Sequence, residues 1–118
     1  MLRFRTLVVI ASAGALALTA SAGAALPKLI GTVGPGFTIT LTQFNKPVKT
    51  LKAGSYSITV TDKSDIHNFR LRGPGVNKEI TKTEFEGTKT VIVKLTKGTY
   101  TFVCDPHATI MKKTFKVV

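Results

Sequence analysis

Tyr100-Thr101-Phe102-Val103-Cys104-Asp105-Pro106-His107-Ala108-Thr109-Ile110-Met111 starts as a strand and continues as a loop rich in metal-binding side chains. Tyr100, Phe102 and Cys104 alternate with Thr101 and Val103, the period of a β-strand with one face turned to a core. The same alternation recurs upstream. Phe37, Ile39 and Leu41 alternate with Thr38, Thr40 and Thr42, and Tyr56, Ile58 and Val60 alternate with Ser55, Ser57, Thr59 and Thr61. Val91, Val93 and Leu95 alternate with Ile92 and Lys94. Gly34-Pro35-Gly36, Lys52-Ala53-Gly54, Gly73-Pro74-Gly75 and Lys97-Gly98 mark the turns between these runs. Seven to eight short strands at this spacing predict an all-β fold, a Greek-key antiparallel β-sandwich. The least legible segment is Asn77 to Gly87, where Thr81-x-x-Glu84 suits the cap of one helical turn and Ile80 and Phe85 suit an irregular strand.

The chain has 118 residues with 17 Lys or Arg and 6 Asp or Glu, a formal charge of +11. That length holds one domain. Residues 1–25 do not belong to it, because they contain 8 Ala against only Ala53 and Ala108 in the remainder. Arg3 and Arg5 precede a short apolar stretch from Thr6 to Ala20, followed by Ala20-Ser21-Ala22 and Ala22-Gly23-Ala24. This is the order of a secretory signal peptide, cut at Ala22 or Ala24, with an uncleaved anchor as the alternative. The mature domain is then 26–118, with 15 basic and 6 acidic side chains. Thr, Val and Ile supply 32 of its 93 residues, a composition suited to strands.

An exported chain with one cysteine forms no internal disulfide, so Cys104 is an inert core residue, pairs with another chain, or carries chemistry. Side-chain parity bears on the choice. Cys104 shares the inward face of Tyr100 and Phe102; His67 shares parity with Phe69 and Leu71, and Met111 with Phe115 and Val117. Asn68, Arg70 and Arg72 fall on the outward face. Cys104 ends one strand and Met111 begins the next, so the intervening loop puts both at one pole of the sandwich. His67, opening its own strand, completes the set if it lies at that pole. Two imidazoles, a thiolate and a weak axial thioether form the ligand set of a blue-copper electron-transfer centre. Thiolate favours Cu(I), imidazole suits Cu(II), and a rigid sandwich limits reorganisation between them.

The segment Asp65-Ile66-His67-Asn68-Phe69, the run from Tyr100 to Met111 and the closing strand to Val118 resemble the plastocyanin-like branch of the cupredoxins, over nearly all of residues 36–118. The resemblance implies one type 1 copper held by His67, Cys104, His107 and Met111. It implies that Asn68 fixes the cysteine loop by hydrogen bonds, and that Pro106 withholds an N–H from the sulfur. It further implies a secreted or periplasmic carrier, most simply a monomer, that passes single electrons between redox proteins. His107 is the expected electron exit, within an apolar patch of Pro74, Pro106 and Ala108.

Other readings fit less of the sequence. Cys-x2-His occurs in zinc sites, but Met is a poor zinc ligand. A Cys–His hydrolase needs an oxyanion hole that nothing here supplies. The lysines are spread over many strands, which disfavours nucleic acid and fits acidic redox partners or anionic wall and membrane surfaces. An exported copper carrier or buffer without electron transfer uses the same ligands, and a metal-free structural sandwich uses none of them.

Overall fold

A computed structural model describes residues 25–118. The expected signal peptide of residues 1–25 lies outside the described residues except for Ala25. The strands are β1 (Lys28–Val33), β2 (Ile39–Gln43), β3 (Lys46–Pro47), β4 (Thr50–Leu51), β5 (Gly54–Asp62), β6 (Phe69–Gly73), β7 (Val76–Thr81), β8 (Gly87–Leu95), β9 (Gly98–Val103) and β10 (Lys112–Val117). One sheet runs β3-β2-β1-β5-β8 and the other β4-β10-β9-β6-β7. β3 and β4 are two-residue strands. β2, β5, β8 and β9 carry the alternating runs, and β6 and β10 the parity read at His67 and Met111. β1 has no counterpart among those runs, and β7 falls in the least legible segment. The pairing departs from a purely antiparallel sandwich at two places. β1 lies parallel to β5, with Leu29 opposite Ile58, and β10 lies parallel to β4. Both parallel pairs involve strands separated by crossovers, which no hairpin signal in the sequence reports.

Alternation explains the core. Leu29, Val33, Ile39, Leu41, Tyr56, Ile58 and Val60 from the first sheet meet Phe69, Leu71, Tyr100, Phe102, Phe115 and Val117 from the second, all buried. Phe69 stacks on Phe102 at 5.8 Å between ring centres, and Tyr100 on Phe115 at 5.4 Å. Each such pair adds about 0.5–1.5 kcal/mol beyond the area it buries. The Tyr100 hydroxyl leaves the apolar layer to donate to the Pro74 carbonyl at 3.0 Å and accept from Thr96 N–H at 3.0 Å. Gly73 makes room for that ring, since a Cβ there would stand 2.1 Å from Tyr100 Cδ1.

The register fixes two poles. Asp62, Val33, the start of β6 and the end of β9 lie at one end, with the turns at Gln43–Lys46, Gly73–Val76 and Leu95–Gly98 at the other. The ambiguous segment resolves into the end of β7 and a tight turn in which Phe85 N–H donates to the Lys82 carbonyl, so Thr81 caps no helix. Its hydroxyl, fully buried, instead accepts from Phe69 N–H at 3.1 Å.

Candidate metal centre

Cys104 follows the last residue of β9, and its N–H still donates to the Met111 carbonyl at 3.0 Å, closing the loop between them at its base. Within the loop Asp105–His107 form one 3-10 turn with Pro106 in its first turn. His107 N–H donates to the Cys104 carbonyl, and Met111 N–H donates to the His107 carbonyl at 2.8 Å. Met111, fully buried, therefore precedes β10 by one residue instead of opening it. The second histidine arrives on the loop from β5 to β6. There Lys63 N–H donates to the Val33 carbonyl, Ser64 N–H to Asp62 Oδ1, and His67 N–H to the Ser64 carbonyl.

These two loops bring His67, Cys104 and His107 together as a group of donors within 4.8 Å of one another. Cys104 Sγ is 3.6 Å from His67 Nδ1 and 3.6 Å from His107 Nδ1, and the two Nδ1 atoms are 3.1 Å apart. A point equidistant from the three atoms lies about 2.0 Å from each, matching the roughly 2.0–2.1 Å of a metal–imidazole bond. A metal ion fits this triangle without rearrangement of the residues that form it. Burial pushes the Cys104 thiol up from its ordinary value, with the carboxylates of Asp105 and Asp62 adding to the rise and the backbone N–H groups of Asn68 and His107 opposing it. Without a cation the sulfur therefore holds its proton more tightly, and a bound cation would displace it.

Packing orients His67. Its ring is fully buried, and Nε2 has no hydrogen-bond partner among the described residues. Gly34, at φ +73°, lies against it, where a Cβ would come 3.0 Å from His67 Cδ2. Phe37 covers both histidines edge-on, with ring centres 5.6 Å from His67 and 5.0 Å from His107. Parity had placed Phe37 in the core strand. It lies instead in the bend before β2, 57% exposed, because the Gly34-Pro35-Gly36 turn delays the strand until Ile39. The signal for this role was its position directly after that turn.

Asn68 is buried, yet it keeps the side of Arg70 that parity assigns to it, since both side chains donate to the same oxygens of Asp105 and Glu79. The bulge beside it lies on β7, where Ile80 is the extra residue between the partners of Phe69 and Arg70, and there both Ile80 and Thr81 are buried. Asn68 Oδ1 accepts from Asp105 N–H at 2.7 Å and its Nδ2 donates to Asp105 Oδ2 at 2.8 Å, joining the two loops. Arg70 Nε donates to the same carboxylate oxygen at 2.7 Å, Arg72 reaches Oδ1 at 3.2 Å, and Arg70 also pairs with Glu79 at 2.8 Å. Desolvation raises the Asp105 pKa, but the Arg70 and Asn68 hydrogen bonds and the two guanidinium charges outweigh it and hold the carboxyl below its ordinary value. No motif in the sequence announces this network.

The expected patch around His107 needs one correction. Pro74 lies at the far pole, with its carbonyl bonded to Tyr100 and its ring where a Gly98 Cβ would fall. Parity cannot say which hairpin lies at which pole. Pro106 and Ala108 are at the metal end, joined by exposed Phe37, Ile66 and Ile110.

A family model of copper-binding proteins, the plastocyanin/azurin family, matches residues 33–118. The chain belongs to that family. Its fold is that of the cupredoxins, and its cofactor is one type 1 copper. Among solved structures, a rusticyanin variant matches with a TM-score of 0.55 at 22% identity, covering 77% of this chain and 76% of that one. Reduced rusticyanin gives 0.52 at 22% identity over 77% and 78% of the two chains. An oxidised amicyanin variant gives 0.50 at 15% identity over 76% and 81%. At these identities the likeness establishes the fold of the cupredoxin and nothing more. No curated protein matches the chain.

Proposed function

We propose that this cupredoxin is an exported single-electron carrier in which His67, Cys104 and His107 would hold the copper, with Met111 as a further, weak ligand. The observation that carries the reading is the triangle of one sulfur and two imidazole nitrogens, sized for a first-row metal. When bound, copper supplies a one-electron couple. The protein's own residues do the rest. The two loops, bonded through Asn68 and Asp105, hold the donors in one arrangement for both oxidation states, which keeps the reorganisation on electron transfer small.

His107, only half-buried, offers the shortest way out for an electron, since Cys104, His67 and Met111 are fully buried. Phe37, Pro106, Ala108 and Ile110 surround that exit with apolar surface against which a redox protein can exclude water. Arg3 and Arg5, separated by Phe4, form no Arg-Arg pair, which supports export of the chain before it folds.

The test is a Cu(II) titration of the domain followed by visible absorption and paramagnetic resonance. We expect an intense thiolate-to-copper band with narrow hyperfine splitting, saturating at one copper per chain, and reversible cycling between Cu(I) and Cu(II) without loss of metal. Release of copper on each cycle would make the protein a copper carrier. Absence of the band would remove Cys104 from the site.

A further inference from the structure

The end of the sandwich opposite the metal centre differs from the rest of the surface in carrying basic side chains without acidic ones and in backbone conformation. The β2–β3 hairpin turns through Phe44 and Asn45, at φ 51° and 61°. This is a two-residue loop in which both central positions are left-handed, where Asn, Asp and Gly avoid the clash between Cβ and the carbonyl. Phe is poorly suited to that backbone, and its ring is 88% exposed, so it is unfavourable to the fold twice over. A strained residue that gives the fold nothing back points to a role outside it. Phe44 borders an open, largely apolar depression with Leu26, Pro27, Lys28 and Ile30.

Acidic charge is gathered at one end of the same axis, where Lys63, Lys82, Lys89, Lys112 and the two arginines accompany it. All six acidic side chains of the chain lie at or towards the metal end: Asp62, Asp65, Glu79, Glu84, Glu86 and Asp105. The opposite end carries Lys28, Lys46, Lys52 and Lys97 in or beside its turns, with Lys49 and Lys116 just above, and no acidic side chain. An exposed aromatic within a field of unpaired lysines is complementary to a surface that is negative outside and apolar beneath.

We infer that this pole, with Phe44 at its tip, docks on an anionic phospholipid bilayer. The aromatic ring enters the boundary between headgroups and acyl chains, and the lysines meet the lipid phosphates. In this orientation His107 and Phe37 face away from the membrane. The docking requires no copper and stands apart from the electron-carrier reading.

The experiment is co-sedimentation of the chain from Ala25 onward, which contains both sheets and their core, with vesicles of neutral lipid and of neutral lipid mixed with phosphatidylglycerol. Binding is expected only to the anionic vesicles and falls with salt. Phe44→Asn weakens it about tenfold by removing the ring, yet raises the thermal midpoint because Asn fits the left-handed turn. These opposite signs separate a docking role from a structural one. Lys46→Gln with Lys52→Gln weakens binding by more than about tenfold, whereas Ile110→Ser at the metal end leaves it unchanged. Failure to bind anionic vesicles overturns the inference. So does binding that ignores Phe44 and is matched by soluble polyphosphate, which would assign the pole to anionic polymers.

Discussion

Arg70 on β6 donates to the carboxylate of Asp105, the residue after the cysteine ligand, at 2.7 Å. The same oxygen accepts from Asn68, the residue after His67. One carboxylate therefore ties the cysteine loop to the loop that carries the first histidine. Arg70 acts through Asp105 on the position of the donors, so we class it as a positioning residue. Arg70→Gln is expected to lower stability by only about 1 kcal/mol, because the pair is part-exposed and Arg72 also reaches Asp105. The copper's hyperfine splitting and reduction potential are expected to shift in the same variant, with Arg70→Lys restoring them in part. An unchanged spectrum alongside lowered stability would make the pair merely structural.

Cys104→Ala is expected to abolish the thiolate-to-copper band and leave a folded sandwich, at a cost of about 1–2 kcal/mol for the small cavity. Circular dichroism and thermal melting of the metal-free variant check this. An unfolded variant would show that the cysteine is there for packing.

Gly34→Ala places a Cβ 3.0 Å from His67 Cδ2 and 3.1 Å from Ser64 Cβ, on a backbone at φ +73°. The strain is expected to cost about 1–2 kcal/mol. Because the imidazole has no hydrogen bond from Nε2 to hold it, relaxation should turn the ring and alter the copper spectrum as well. A loss of stability with an unaltered spectrum would argue that Cys104 and His107 alone set the site.

Asp62 and Asp105 act oppositely on acid stability. Burial raises the Asp62 pKa above its ordinary 3.8, with the Thr81 hydroxyl, the Ser64 N–H and the charge of His67 only partly opposing it. The folded state thus holds that proton more tightly than the unfolded state does. The resulting stability is fully present below pH 3.8 and is lost as pH rises through the folded value. Asp105 is depressed, so its contribution is present above pH 3.8 and is lost as pH falls through its folded value. In the metal-free protein Asp62→Asn is expected to melt above the wild type at neutral pH, with the two curves converging towards pH 3.8. Asp105→Asn is expected to melt below the wild type at neutral pH and to approach it in acid. Parallel curves at all pH values would remove titration as the cause.

Much of the fold, and the residues proposed for the site, could be read from the sequence. Period-two alternation encodes which face of a strand is buried, so Tyr100, Phe102 and Cys104 could be assigned inward, as they are. The proposed donors Cys104, His107 and Met111 are close in sequence, and a short loop between adjacent strands holds them at one pole whatever the remainder of the fold does. The sequence by itself determined the donor types, the all-β class and the pole of the cysteine loop. Only the tertiary structure decided that His67 meets Cys104 across 36 intervening residues, that Phe37 covers both imidazoles, and that Pro74 lies at the far end. It also decided that Arg70 and Arg72 reach Asp105 and that all six acidic side chains gather towards the metal end. The reason is that alternation records inside and outside but not up and down. Which end of a strand meets which loop is set by register and by the crossovers that place β1 beside β5 and β4 beside β10, and those are properties of the assembled sheets.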